Sequence, residues 1–196
     1  MRAKYSPSEF VKNIYSLIQT KFFMKQARLI RRPVYIRGRK SLSGCVGLTT
    51  GRFCRFDLIG TKPTLSIGDN CELGDMTHIV AYEKVEIGSN VLLASKCFIS
   101  DTNHGSYTGE SQDSPFIPPN DRKLVTSPVK IGNNTWIGEN TVILAGTVIG
   151  DGCIVGANSV VKGVFASNTM IVGTPAKAIK NYDSILSKWI RLQEDK

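Results

Sequence analysis

The sequence predicts an all-β fold in which short strands coil around one shared core, and two regularities predict it. Between residues 131 and 162 every sixth residue is aliphatic: Ile131, Ile137, Ile143, Ile149, Val155 and Val161. Four places after the aliphatic residue stands a small one: Thr135, Thr141, Thr147, Cys153 and Ser159. A helix with a period of 3.6 cannot keep a six-residue repeat on one face, whereas short strands joined by tight corners can. We therefore predict a parallel β-helix built from six-residue units.

The six-residue pattern extends well beyond this stretch. Twelve units open with Ile, Leu or Val, at residues 67, 73, 79, 87, 93, 99, 131, 137, 143, 149, 155 and 161. The glycine that often follows the aliphatic residue suits a corner, because glycine adopts backbone angles that other residues avoid. Before residue 67 the aliphatic residues and glycines are less regularly spaced, which indicates an irregular first coil. The predicted β-helix spans residues 34–180.

Residues 1–33 are predicted to form a basic amphipathic helix. The sequence Ser-Pro-Ser-Glu at residues 6–9 is a helix start, with Ser as N-cap, Pro at the first helical position and Glu three residues after the cap. Arg32-Pro33 is expected to end the helix. Apolar residues recur every four positions, at Phe10, Ile14, Ile18 and Phe22. The favoured interpretation is that this apolar face docks on the end of the coils.

Positive charge is concentrated in residues 1–40. This stretch holds eleven Lys or Arg residues and a single acidic residue, Glu9, whereas the whole chain has a net charge of +9. An anionic membrane surface or an anionic lipid-linked substrate would attract such a segment. Peripheral membrane contact through residues 1–40 is therefore a second interpretation of the helix. Nucleic acid is not expected as a partner, because the charge is not accompanied by an aromatic and basic binding module.

The five cysteines of the sequence indicate a reducing compartment. Cys71, Cys97 and Cys153 stand at the small position of a six-residue unit, so we expect them to fill the core and not to form disulfides. The sequence has no small-residue cleavage site after an apolar run, as a signal peptide would have. It also lacks an apolar run of the ~20 residues that cross a bilayer. The expected location is the cytoplasm.

The repeat is interrupted once, in residues 105–128. This segment contains four prolines together with Ser, Asp and Gly, and it shows no strand pattern. Because the units resume in register at Val129, the two ends of the segment must lie close together, and the segment must loop out from one corner of a coil. A long loop inside a compact repeat is usually functional or disordered. His104 stands at the root of this loop.

The end of the chain departs from the repeat. Gly-Thr-Pro-Ala at residues 173–176 is expected to close the last coil. Beyond it, apolar residues are spaced as on one face of a helix, at Ile185, Leu186, Trp189 and Ile190. The sequence therefore predicts a short C-terminal helix within residues 181–196, packed over the end of the coils.

Several of these segments resemble the hexapeptide-repeat O-acetyltransferases. The resemblance rests on the repeated IG-x-x-[TSC]-x units, the ISDTNHG sequence before the loop, the NTWIGENTVILAGTVIG block and the GTPAK close. It implies a left-handed parallel β-helix and assembly as a homotrimer. ARLIRRPVYIRG and TTGRFCRFD are most similar to the sugar and polysaccharide acetyltransferases, including those that modify lipopolysaccharide O-antigen. The resemblance thus implies acetyl-CoA as co-substrate and a sugar or polysaccharide precursor as acceptor.

His104 is the candidate catalytic base. A transferase that moves acetyl from a thioester to a sugar hydroxyl needs a group that removes the hydroxyl proton, and imidazole can do so near neutral pH. The catalytic histidine of the resembled family falls on this position. Asp101, or else a backbone carbonyl, is expected to hold the second ring nitrogen. His78, the other histidine, is interpreted as structural.

The donor site follows from the resemblance alone. Carried over position by position, the family's coenzyme A contacts fall on Glu139, Ala157, Lys162, Lys177 and Lys180. Lysines suit this role, because the pyrophosphate and 3′-phosphate of coenzyme A attract point cations. Lysine lacks the bidentate fork of the arginine that the family often has at the last two positions. No metal is expected at either site.

Other functions fit the same repeat less well. A carbonic anhydrase of this fold would need three histidine ligands for zinc, and the chain has two histidines. A non-catalytic β-helix scaffold would need no histidine at the loop root, and acetyl-CoA binding with thiol release would distinguish it from an enzyme. An acetyltransferase that acts on a small free sugar, or on another small hydroxyl acceptor, remains an open alternative.

Overall fold

A computed structural model describes residues 5–192 of the chain. In this range one α-helix, α1 (Pro7–Phe23), is followed by short strands. The strands of the first coils are β1 (Leu29–Ile30), β2 (Val34–Arg37), β3 (Leu42–Gly44), β4 (Thr49–Thr50), β5 (Cys54–Leu58), β6 (Leu65–Ile67), β7 (Glu72–Leu73), β8 (His78–Ala81), β9 (Val85–Ile87), β10 (Leu92–Leu93), β11 (Phe98–Ser100) and β12 (Thr102–His104). The remaining strands are β13 (Leu124–Thr126), β14 (Val129–Ile131), β15 (Trp136–Ile137), β16 (Val142–Ile143), β17 (Val148–Ile149), β18 (Ile154–Val155), β19 (Val160–Val161), β20 (Val164–Phe165), β21 (Thr169–Gly173), β22 (Ala176–Asp183) and β23 (Lys188–Arg191). Two single turns of 3-10 helix lie at Arg39–Ser41 and Pro119–Asp121.

The strands form three parallel sheets that make the three walls of a stack of coils. The first sheet has the order β1-β4-β7-β10-β15-β18-β21, the second β2-β5-β8-β11-β16-β19, and the third β3-β6-β9-β14-β17-β20. Each coil therefore contributes one strand to each wall before the chain moves on to the next coil. This arrangement confirms the predicted parallel β-helix.

The predicted aliphatic positions form the core. In the second sheet Ile79 is in register with Ile99, Ile99 with Ile143, and Ile143 with Val161. All four side chains are fully buried. Equivalent residues therefore stack directly above one another along the axis, and each coil buries the apolar side chain of the next.

In many units the small residue hydrogen-bonds at a corner. The Thr141 hydroxyl lies 2.8 Å from the carbonyl of Gly138 in its own coil and 3.3 Å from that of Gly156 in the next. The Cys97 thiol lies in the same way, 3.3 Å from the carbonyl of Gly138. A larger side chain would not fit at this bend, and a small donor satisfies corner carbonyls that the sheets leave unpaired.

Glycine at the corners permits close approach of successive coils. A Cβ atom added to Gly138 would lie 2.5 Å from the backbone nitrogen of Ala157 in the next coil. Two residues on, Asn140 and Asn158 both have a positive φ, and the Asn140 amide donates to the Asn158 side chain over 2.8 Å. In these units Gly permits the close spacing of the coils, and Asn adopts the backbone angles of the turn.

All five cysteines are buried free thiols. Burial raises the pKa of Cys45 to about 12 and that of Cys97 to about 11. Such thiols stay protonated and unreactive in the folded chain. The expectation that Cys71, Cys97 and Cys153 fill the core is therefore confirmed.

The predicted C-terminal helix is wrong. Residues 176–191 instead form an antiparallel hairpin, in which β22 pairs with β21 and β23 pairs with β22. The last coil would otherwise end in the open edge of β21, and the hairpin supplies hydrogen-bond partners for that edge. Tyr182 and Trp189 face each other across the hairpin with ring centroids 5.4 Å apart. The expected boundary between residues 180 and 181 falls inside β22.

The predicted extent and docking of the N-terminal helix are also wrong. The capping box is present, with Ser6 N donating to Glu9 over 2.9 Å, but α1 ends at Phe23 and β1 joins the first sheet. The apolar face expected to dock on the coils is exposed at all four positions, Phe10, Ile14, Ile18 and Phe22. Ser16 and Thr20 are buried in its place.

Hydroxyl groups of α1 dock the helix on the first coil, because the backbone amides at the open edge of that coil need acceptors. The backbone N–H of Ile30 donates to the Thr20 hydroxyl over 2.9 Å, and the N–H of Arg32 donates to the Ser16 hydroxyl over 3.2 Å. No earlier strand in residues 5–192 lies beside β1 to accept these bonds. The need to pair buried amides therefore outweighs the burial of the apolar face in positioning this helix.

Truncation of one stacked aliphatic side chain should destabilise the whole fold. Ile143→Ala leaves a cavity between Ile99 and Val161. We expect it to lower the free energy of unfolding by about 2–5 kcal/mol. Val164→Ala is the matched control, because Val164 is 78% exposed. Urea unfolding of both variants at one protein concentration tests the prediction, and equal loss in the two variants would contradict it.

Candidate active site

The interrupting loop leaves the fourth coil at the corner between the second and third sheets. Its two ends pair as antiparallel strands, with Thr102 opposite Thr126 and His104 opposite Leu124. The Ser127 N–H donates to the Asp101 carbonyl over 2.8 Å and closes the base of the loop. The expectation that the two ends lie close together is confirmed.

The His104 side chain is exposed at this corner. Its Nδ1 atom lies 3.2 Å from the carbonyl oxygen of Pro119 on the far arm of the loop. A carbonyl only accepts hydrogen bonds, so Nδ1 carries a proton, and in the neutral ring Nε2 is the nitrogen with a lone pair. This is the tautomer that a general base needs at Nε2.

The loop is fastened around His104 by Arg122 and Tyr107. Arg122 donates to the Tyr107 hydroxyl over 2.6 Å and to the carbonyl of Ile117 over 2.9 Å. The Tyr107 hydroxyl in turn donates to the His104 carbonyl. The guanidinium also lies 5.8 Å from the centre of the Tyr107 ring. These contacts hold the two arms of the loop together on either side of the histidine.

Sequence reasoning did not single out Arg122, Tyr107 or Pro119. The segment has no periodicity, so nothing in the order of its residues indicates which side chains meet. A tyrosine and an arginine inside a proline-rich loop are a weak signal that the loop is ordered and not a flexible linker. Only the fold brings them to the histidine.

The structure corrects the expectation that Asp101 orients His104. The Asp101 carboxylate is fully buried and accepts hydrogen bonds from the backbone N–H groups of Tyr82, Glu83 and Lys84, at 2.8–3.0 Å. It also accepts a bond from the Thr102 hydroxyl over 2.7 Å. These donors belong to the corner of the coil below, so Asp101 fixes the root of the loop. The other alternative, a backbone carbonyl, is the partner that His104 has.

His78 lies outside this site, on the outer face of the second sheet. Its Nε2 atom is 2.9 Å from the carboxylate of Asp57, and Arg55 and Arg37 are 2.6 and 3.2 Å from that carboxylate. Burial alone would raise the pKa of Asp57, but the hydrogen bonds from His78 and Arg55 outweigh it and lower the pKa. This geometry is that of an ion-pair cluster, in keeping with a structural histidine.

The residues carried over for coenzyme A lie on more than one edge of the stack. Glu139 and Ala157 are exposed at the corner between the first and second sheets, before β16 and β19. Lys162 follows β19 and lies on the same edge as His104, two coils further along. Two coils correspond to about 10 Å along the axis of the stack. Lys177 and Lys180 lie on β22 at the end of the first sheet. Within a single chain, the width of the second sheet therefore lies between His104 and the two residues Glu139 and Ala157.

Glu139 has a partner of its own. Its carboxylate lies 3.2 Å from the ammonium group of Lys96 in the coil below, and both side chains are more than half exposed. An exposed pair of this kind contributes little to stability. The pairing lowers the local excess of negative charge at this corner.

Within residues 5–192, no group of three or more His, Cys, Asp and Glu side chains could hold a metal ion. The helix found in the same range is too short and too polar to cross a membrane.

Comparison with known proteins places the chain among bacterial transferases. A family described as bacterial transferase hexapeptide (six repeats) matches residues 128–163. The chain is 41% identical over 187 residues to WbbJ of Escherichia coli strain K12, which is named a lipopolysaccharide biosynthesis O-acetyl transferase, and the match covers 95% of each chain. A left-handed coil fits the repeat family.

Two solved structures show the same fold. A variant of AntD, an N-acyltransferase from Bacillus cereus in complex with dTDP-4-amino-4,6-dideoxyglucose and coenzyme A, has a TM-score of 0.68 at 22% identity and covers 95% of this chain and 94% of its own. The hexapeptide-repeat acetyltransferase VCA0836 of Vibrio cholerae, in complex with acetyl-CoA, has a TM-score of 0.56 at 24% identity and covers 70% of this chain and 72% of its own.

Replacement of Asp101 by Asn should loosen the root of the loop. The amide of Asn has one oxygen where the carboxylate has two, so its NH2 group would face backbone N–H groups that need an acceptor. We expect the free energy of unfolding to fall by about 3 kcal/mol. Asp69→Asn is the matched control, because the Asp69 side chain is exposed at another corner. Thermal unfolding measures the difference, and a small effect in both variants would exclude this role for Asp101.

Proposed function

The chain belongs to the hexapeptide-repeat transferase family, and from that premise we propose that it is an acetyl-CoA-dependent O-acetyltransferase. We propose a sugar hydroxyl as its acceptor, in the assembly of lipopolysaccharide O-antigen or a related surface polysaccharide. The identity to WbbJ over 95% of both chains supports the acceptor class. The single observation that supports the chemistry is the 3.2 Å contact between Nδ1 of His104 and the Pro119 carbonyl, which leaves Nε2 for the acceptor hydroxyl.

In this proposal the reaction proceeds by direct transfer. Nε2 of His104 accepts the proton of the acceptor hydroxyl as the hydroxyl oxygen attacks the thioester carbon. The new C–O bond forms, the C–S bond then breaks, and the imidazolium returns the proton to the leaving sulfur. The products are the sugar ester and the free thiol of coenzyme A, and the histidine is regenerated.

The proposed donor site uses the charges near the end of the stack. Lys162 and Lys177 are exposed and Lys180 is half-buried, so their ammonium groups can reach a phosphate of acetyl-CoA. Ala157 offers a small side chain at a corner along which the pantetheine arm can run. Glu139 stands at the same corner and is paired with Lys96.

We propose that the chain acts as a homotrimer with each site shared between two copies. His104 lies at one edge of the second sheet, and Glu139 and Ala157 lie at the opposite edge. In a closed ring, one edge of each copy meets the other edge of its neighbour. The base and the donor corner would then face each other across the contact.

We propose the cytoplasm as the place of the reaction, since acetyl-CoA is made there. The five buried free thiols support a reducing compartment. A peripheral position at the inner face of the membrane rests on a separate surface, described below.

Removal of the proposed base should slow transfer strongly and leave the fold intact. We expect His104→Ala to lower kcat by ~10²–10⁴-fold, because a positioned general base contributes that much. The assay is thiol release from acetyl-CoA with saccharides from deacetylated lipopolysaccharide as acceptor. His78→Gln is the matched control, because glutamine can still donate a hydrogen bond to Asp57.

Circular dichroism should show that both histidine variants fold, and mass spectrometry should find no acetyl group on the protein. Turnover near the wild-type value in folded His104→Ala would refute the assignment of the base. A wild-type chain that transfers acetyl to no saccharide would refute the proposed acceptor class.

A further inference from the structure

The outward-facing side of α1 is apolar. The exposed residues are Phe10, Val11, Ile14, Tyr15, Leu17, Ile18 and Phe22, each at least 43% accessible to solvent. At 100° per residue they cover an arc of about 160° around the helix axis. A surface helix ordinarily turns such an arc toward the core.

The opposite side of the helix is the one that docks. Ser16 and Thr20 are fully buried and hydrogen-bond to the first coil, and Met24 just beyond the helix is buried beside them. Because these hydrogen bonds fix the orientation of the helix, the exposure of the apolar arc does not result from loose packing of α1. Its apolar residues lie on the side of the helix opposite Ser16 and Thr20, and each is exposed.

Exposed positive charge occurs in α1 and in the residues that follow it. Lys21 lies within the apolar arc, and Lys12, Lys25, Arg39 and Lys40 are exposed nearby in sequence. Within residues 5–192, the structure shows no ion pair for any of these five side chains. In the described part of the chain, the helix thus combines an exposed apolar face with cations that have no acidic partner, and the Lys21 ammonium lies 3.4 Å from the carbonyl of Ala27.

We propose that the outer face of α1 binds an anionic lipid bilayer, with the helix lying in the plane of the interface. The apolar arc would enter the boundary between headgroups and acyl chains, while the lysines pair with lipid phosphates. The helix has 17 residues and is about 26 Å long, which suits a helix that lies on a membrane and does not cross it.

Charge argues for a bilayer over a second copy of the chain. A two-fold contact through this face would bring each lysine toward the lysines of the partner, because such contacts are self-complementary. An anionic membrane instead matches the whole segment, in which Glu9 is the only acidic residue among the first forty. Each Lys or Arg near such a surface contributes about 1 kcal/mol, or about fivefold in affinity.

Vesicle co-sedimentation tests this surface without any need for enzymatic activity. We expect the wild-type chain to sediment with vesicles of phosphatidylcholine and phosphatidylglycerol at low salt, and to be released by high salt or by vesicles of phosphatidylcholine alone. The double variant Lys21→Glu/Lys25→Glu should bind at least ~25-fold more weakly, at about fivefold per lysine. Ile14→Ser/Ile18→Ser should bind at least ~10-fold more weakly, since each isoleucine would lose its burial in lipid.

Matched controls use exposed residues elsewhere on the stack. Ile185→Ser/Leu186→Ser removes two exposed apolar side chains, and Lys130→Glu/Lys188→Glu reverses two exposed charges. These controls should bind vesicles as the wild type does. All four double variants should keep acetyl transfer to a water-soluble saccharide, so that loss of membrane binding is distinguished from failure of the proposed reaction.

Two results would overturn the proposal. One is the absence of binding to anionic vesicles at low salt. The other is an Ile14→Ser/Ile18→Ser chain that binds vesicles normally but sediments with a different mass, because the apolar arc would then be a contact between copies.

Discussion

The in-register hydrogen bonding of each coil to the next is the constraint on which the rest of the structure depends. It requires that every coil place the same kind of residue at the same point, so aliphatic side chains stack in the core and small residues stand at the corners. It also leaves two open ends, and each end is closed in its own way. Hydroxyls of α1 pair the amides of the first coil, and a hairpin pairs the edge of the last.

The same constraint decides where a reactive group can stand. The walls are fixed by pairing, so a long insertion is tolerated only at a corner, provided that its two ends return to the same place. Asp101 secures that return by binding three backbone N–H groups of the coil below. The loop also holds the ring of His104, the proposed base, through the Pro119 carbonyl, although the side chain is exposed to solvent.

The repeat made most of the fold predictable, because a six-residue period can be satisfied in few ways. The site was predictable only at its root, since His104 adjoins the repeat whereas Pro119, Tyr107 and Arg122 meet it through a loop without periodicity. The two failures share one physical cause. Both α1 and residues 185–190 show apolar residues at helical spacing, but the open ends of the stack need hydrogen-bond partners. The first pattern accordingly faces outward, and the second falls in the turn and the last strand of the hairpin.

The central claim is that the base and the donor corner of one site come from different copies. The measurement that tests it most directly mixes two inactive chains, His104→Ala and Ala157→Glu, the second of which blocks the donor corner with bulk and negative charge. After refolding together in equal amounts they should recover about a quarter of wild-type transfer, because in a ring of copies a quarter of the shared sites carry both intact residues. A mixture that stays as inactive as its components would contradict the account, since each site would then lie within a single chain.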